Sequence, residues 1–90
     1  MGKFLRPKAE VLPNDAVVPH KNLISPAPTD FTHELKRPEP YYFSSGATEA
    51  NGKFAAGTKL RLMDTSGSRC WVADERGLYV EIECAALRKL

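Results

Sequence analysis

Arg69-Cys70-Trp71-Val72-Ala73-Asp74-Glu75-Arg76-Gly77-Leu78-Tyr79-Val80-Glu81-Ile82-Glu83 reads as a β-hairpin. Two strand-prone runs flank Asp74-Glu75-Arg76-Gly77, a cluster of turn-forming residues. In the second run the alternation is clean: Leu78, Val80 and Ile82 face one way, and Tyr79, Glu81 and Glu83 the other. That period belongs to a strand with one buried face. Glu81 and Glu83 are therefore expected on a solvated outer face rather than as a catalytic acid–base pair.

Working outward, the same punctuation recurs. Tyr41-Tyr42-Phe43 is strand-prone and gives way to Ser44-Ser45-Gly46, and Asn51-Gly52 is a tight-turn pair. Lys59-Leu60-Arg61-Leu62 alternates again, with Asp64-Thr65-Ser66-Gly67 as the following turn. Cys84-Ala85-Ala86 is expected to form a short 3₁₀ turn before Leu87-Arg88-Lys89-Leu90 closes the chain. Short strands at this spacing, with no helix long enough for a crossover, imply an antiparallel all-β unit. Residues 39–90 are too few for two full sheets, so a small closed barrel is the expected architecture.

Composition changes before that unit. All seven prolines lie within residues 1–40, whereas five of the six glycines follow residue 45. Proline fixes φ and removes a backbone donor, so residues 1–38 are expected to form a proline-rich, extended or partly disordered arm without a long helix or a central strand. The arm also carries Phe4, Leu5, Val11, Leu12, Val17, Val18, Leu23, Ile24, Phe31 and Leu35, more apolar residues than a simple linker needs. Some are expected to pack on the barrel, as an edge strand near Ala16–Val18 or as a strap. Asp30 to Lys36 reads as one helical turn capped by Asp30.

Charge excludes more than it assigns. The net charge is +2, and each half of the chain carries only +1, so no basic stripe for nucleic acid is visible. No apolar run approaches the roughly 20 residues needed to span a bilayer. The basic start Met1 to Lys8 is not followed by a secretory apolar region, which points to the cytoplasm, with the periplasm as the alternative if a signal has been removed. Gly2 does not fit myristoylation, because Arg6 stands where a Ser or Thr is needed.

No catalytic constellation emerges. The only histidines, His20 and His33, lie in the arm, away from any held Ser or Cys nucleophile. With Cys70 and Cys84 they match a zinc site in number but not in spacing, so no metal and no cofactor are expected. The two cysteines are a candidate disulfide. A hairpin register that sets Cys70 opposite about Glu81 leaves Cys84 some three residues beyond, so a bridge requires the 84–86 turn to fold back. In the cytoplasm both are expected as thiols.

Taken in order, these signals resemble the bacterial SH3-like domain family. Tyr42-Phe43-Ser44-Ser45-Gly46 is similar to its opening strand and Ser-Gly turn, and Phe54-Ala55-Ala56-Gly57-Thr58-Lys59-Leu60-Arg61-Leu62 to its Gly-Thr signature. Trp71-Val72, Gly77-Leu78-Tyr79-Val80 and Leu87 fall where the family has an aromatic-Val pair, a Gly-Tyr-Val and a closing Leu. Here Leu78 is inserted before Tyr79, which resets the facing of that tyrosine. The resemblance covers residues 41–90 and implies an SH3-like barrel acting as a binding module. The family is usually extracytoplasmic.

Tyr41, Tyr42, Trp71 and Tyr79 are the candidate binding residues. Aromatic grooves on such barrels take extended, proline-containing peptides, whose conformation is already ordered. The competing reading is that Trp71 and two tyrosines are core. The expected partner is a protein or peptide bound by a monomer, with nucleic acid disfavoured and no membrane. Ser25-Pro26-Ala27-Pro28 and Arg37-Pro38-Glu39-Pro40 give the arm its own means of crossing, and masking, that face.

Overall fold

The hairpin and its neighbours form as an antiparallel all-β structure. The computed structural model describes residues 18–90. These form β1 (His33–Leu35), β2 (Glu39–Tyr41), β3 (Gly52–Phe54), β4 (Lys59–Ser66), β5 (Arg69–Ala73), β6 (Tyr79–Glu83) and β7 (Leu87–Lys89), with 3₁₀ turns at His20–Asn22 and Cys84–Ala86. One sheet has five strands in the order β6-β5-β4-β1-β7, and β2 pairs with β3 in a second. Every pairing is antiparallel.

The predicted facing of residues 78–83 holds for the apolar set. Leu78, Val80 and Ile82 are buried and join Leu35, Tyr41, Phe43, Phe54, Leu60, Cys70, Val72 and Ala86 in one core cluster. The 3₁₀ turn at 84–86 and the closing strand also form where the sequence places them.

The two sheets do not close into a barrel. Between β2 and β6 a single bridge forms, with Tyr42 and Glu81 exchanging backbone hydrogen bonds of 3.0 and 2.9 Å. The reason is local. The next bonded pair in that register would join Pro40 to Glu83, but Pro40 has no N–H, and Glu83 N–H instead donates to Glu39 Oε2. On the other side the pair would be Ser44 with Tyr79, whose carbonyl already accepts from Asn22 Nδ2.

Several local expectations are corrected. Residues 33–35, read as part of a capped helical turn, form a strand between β4 and β7. The stretch between Pro28 and Pro38 is free of proline, long enough for a short central strand in a region where none was expected. The ladder on both sides outweighs the weak local signal of one capped turn. β4 runs on through Asp64-Thr65-Ser66, and the turn is at Gly67-Ser68. The strand expected at Tyr41–Phe43 is shifted to Glu39–Tyr41.

Asn51-Gly52 does not make a two-residue hairpin. Asn51 Oδ1 accepts from Phe43 N–H, closing a longer loop, and Gly52 pairs with Tyr41. A Cβ at Gly52 would overlap the Tyr41 ring, so glycine is required there by packing. Gly77 has φ +85°, and a Cβ there would overlap the carbonyl of Ile24, which lies against the turn.

The described part of the arm lies on the sheets. Val18 packs against the core, Leu23 bridges Leu78, and Ile24 N–H donates to Gly77 O at 2.9 Å. Ala16 and Val17, two of the three residues of the expected edge strand, lie outside the described residues. No helix among the described residues is long and apolar enough to cross a membrane.

Candidate functional site

The outer face of β4, β5 and β6 gathers most of the candidate residues. Alternation along β5 turns Cys70 and Val72 inward and Arg69 and Trp71 outward, while Ala73, on the same side as Trp71, is covered and fully buried. Across from them on β6 stand Glu83, Glu81 and Tyr79, paired as Arg69 with Glu83, Trp71 with Glu81 and Ala73 with Tyr79. Side chains of directly opposed residues share a face, so these six form one surface.

Trp71 and Tyr79 stack on it, with ring centroids 4.9 Å apart and planes 28° from parallel. Both are only half-buried. The third candidate, Tyr42, joins the face from the loop after β2, with the Arg69 guanidinium 4.4 Å above its ring. Tyr41 does not belong to it. Its ring is 4% exposed and packs in the core at 4.7 Å from Phe54 and 6.1 Å from Phe43. Burial pushes the Tyr41 hydroxyl above its usual range, an effect that Arg76 opposes and Asp74 reinforces. Of the four aromatics, then, one is core and three are brought together outside.

Glu81 corrects the expectation of a solvated carboxylate, because it is 1% exposed. Arg69 donates to Glu81 Oε1 at 2.9 Å and to Glu83 Oε2 at 3.2 Å, and Gly46 N–H reaches Glu81 Oε1 at 3.3 Å. A carboxylate can be buried when it is paired and hydrogen-bonded in this way. Desolvation lowers the Arg69 pKa, but the bonds to Glu81 and Glu83 outweigh it and leave the guanidinium more firmly protonated than usual.

Other contributors were not singled out in the sequence. A bulge in β4 sets two residues, Met63 and Asp64, against Trp71. Asn22, 1% exposed, donates through Nδ2 to Phe43 O (3.0 Å) and Tyr79 O (2.7 Å), tying the first 3₁₀ turn to the back of the aromatic strand. The outward alternation of Arg69 and Trp71 carried a signal for Arg69. A bulge and a side-chain clamp from residue 22 left none.

The cysteines are joined. Cys70 and Cys84 form a disulfide with Cα atoms 5.1 Å apart. Cys70 pairs with Ile82, one residue further on than the register read from sequence. That shift puts Cys84 two residues past the partner and on the same face, and Cys84 N–H donates back to Ser68 O. Cys84 thus continues the β5–β6 register, and the bridge forms without the fold-back of the 84–86 turn that the sequence register called for.

An open cleft of about 580 Å³ is lined by Phe31, Phe54, Lys53, Lys59, Asp74 and Arg76 among others. Asp74 is committed to its own turn, accepting from the backbone of Arg76 and Leu78 and pairing with the Arg76 side chain. Among the described residues no cluster of three or more His, Cys, Asp or Glu side chains is placed to hold a metal ion. His33 Nδ1 lies 2.8 Å from Thr32 Oγ1. Comparison with protein-family models, with curated proteins and with solved structures returned no match.

Proposed function

We propose that this chain is a non-catalytic protein- or peptide-binding module working through the outer face of β4, β5 and β6. The observation that carries the reading is the Trp71–Tyr79 stack, two large aromatics left half-exposed on a sheet face. Aromatic residues of this kind supply contact area at low entropic cost and dominate binding energetics. Arg69, fixed over Tyr42 by two carboxylates, extends the same surface as a rigid element.

The SH3-like reading is kept as a proposal. Its support is the pairing of the first strand with the last and the 3₁₀ turn before Leu87. The disulfide favours an oxidising compartment over the cytoplasm as the place of action. Nucleic acid remains the less favoured ligand, because the carboxylates of this face repel phosphate.

The test is selection of displayed random peptides on the full chain, with Trp71→Ala and Tyr79→Ala proteins in parallel. A peptide class enriched on the native chain and lost on both variants is expected. Equal enrichment on all three would move binding elsewhere, and no enrichment would end this reading.

A further inference from the structure

We infer that the side chain received by the Trp71–Tyr79 face is cationic, a guanidinium or alkylammonium carried on an extended peptide. The inference rests on the reading of this face as a peptide-binding surface and assigns the chemistry of its ligand.

Three observations point the same way. The first is the bulge. It sets Met63 and Asp64 together at the register position opposite Trp71, and both side chains are exposed (43% for Met63). Bulges re-aim side chains in this manner next to binding sites. An alkyl stem ending in a positive charge matches that pairing, with methylenes for Met63 and the head group for Asp64.

The second is the charge around the stack. Four carboxylates, Asp30, Asp64, Glu81 and Glu83, gather at this face against three cations, Arg61, Arg69 and, at the far end of β4, Lys59, although the whole chain is net positive. Both guanidiniums are already used: Arg61 bonds Asp30 at 2.6 Å, and Arg69 bonds Glu81 and Glu83. Asp64 is different. Its Oδ1 accepts only from the neighbouring Thr65 N–H at 2.9 Å, and among the described residues no cation pairs with it. An anionic ligand would meet this surplus of negative charge, whereas a cation would relieve it.

The third is the ring chemistry. The π face of tryptophan is the best of the side-chain surfaces for a cation, and a half-buried stack is partly desolvated, which strengthens the attraction. The same face already holds one guanidinium over an aromatic ring, Arg69 over Tyr42.

The chain contains a single tryptophan, so Trp71 emission reports directly on this surface. The full chain would be titrated with Pro-Arg-Pro-Arg-Pro and with its citrulline and glutamate counterparts, citrulline keeping the shape of arginine without its charge. Saturable change with the arginine peptide is expected, with the citrulline peptide about fivefold weaker or more and the glutamate peptide weaker still. Asp64→Asn keeps the acceptor for Thr65 N–H, so the fold should survive, as circular dichroism would verify. In that protein the arginine-to-citrulline ratio should fall towards one. Equal binding of the arginine and citrulline peptides by the native chain would overturn the cation assignment while leaving the binding surface standing. No response of Trp71 to any of the three peptides would count against the surface itself.

Discussion

The two edges of the five-stranded sheet are finished by different means. Along β6 and the turn before it, backbone groups that point away from β5 are met by residues from elsewhere in the chain: Gly77 O by Ile24 N–H, Tyr79 O by Asn22 Nδ2, both groups of Glu81 by Tyr42, and Glu83 N–H by the Glu39 carboxylate. Along β7 nothing comparable is present among the described residues. Leu87 N–H closes the preceding 3₁₀ turn onto Cys84 O, and the strand is three residues long with Arg88 and Lys89 in it. Open edges invite unwanted pairing, and proteins blunt them by covering them, or by keeping them short and charged. This molecule uses the first device at β6 and the second at β7. The covered edge is also the one behind the aromatic face, so the residues that seal it hold the candidate site in place.

The largest effect should come from breaking the seal at its centre. Tyr42→Pro removes the N–H that bonds Glu81 O and leaves that carbonyl unpaired in a buried position. It also removes the ring under Arg69. A lost ladder bond at a proline, with an orphaned acceptor, should cost about 4 kcal/mol. Urea denaturation followed by Trp71 emission would measure it. A loss of under about 1 kcal/mol would mean that the hairpin is held by its apolar contacts alone and that the bridge is incidental.

Next in size is the disulfide, which ties β5 to the turn leading into β7 across a separation of 14 residues. Opening a loop of that length should lower stability by about 3 kcal/mol, read as a fall in melting temperature on adding a reductant. The effect should vanish in a Cys70→Ala/Cys84→Ala protein, whose melting point would be insensitive to reductant. If the native chain is equally insensitive, the bridge contributes nothing to holding β7 on β1.

Asn22→Ala tests the seal at its upper end. Both amide hydrogens of Asn22 are lost, leaving Phe43 O and Tyr79 O without those donors. At about 1 kcal/mol net per bond, a loss of about 2 kcal/mol is expected, again from the urea midpoint. Because Tyr79 carries the stack, Trp71 emission of the folded protein should shift as well. A midpoint change with unaltered emission would separate edge sealing from support of the aromatic face.

Much of this contrast was hidden in the sequence, for identifiable reasons. The β6 core face was legible because Leu78, Val80 and Ile82 obey a strict period of two. The closing turn and β7 were legible from Cys84-Ala85-Ala86 before Leu87. Three of the four candidate aromatics share one surface, but Tyr41 is core, since alternation puts it on the inner side with Phe43 and turns only Tyr42 outward. The seal itself could not be read. Its members, Asn22, Glu39 and Tyr42, act through side chains or single bridges across long separations, and such contacts leave no periodic trace. β1 was missed because three residues between prolines carry little strand signal on their own. Its existence depends on β4 and β7 flanking it. Asp64 was read as a turn residue from its type, whereas the bulge that makes it part of the site depends on how β4 matches β5.

The smallest effect should be at the other edge. Leu90 N–H bonds Thr32 O, and Lys36 N–H bonds Ala86 O, so alternation along β7 turns the backbone N–H of Lys89 away from β1. Proline is tolerated at an edge position whose N–H faces solvent, so Lys89→Pro should change stability by less than about 0.5 kcal/mol. The same residue type inserted at the two edges then gives opposite outcomes, near neutrality at Lys89 and collapse at Tyr42. A urea midpoint for Lys89→Pro as low as that for Tyr42→Pro would show that the outer side of β7 is in use, and that this edge is covered after all. An unchanged midpoint would show that brevity and charge suffice at an edge where no cover is built.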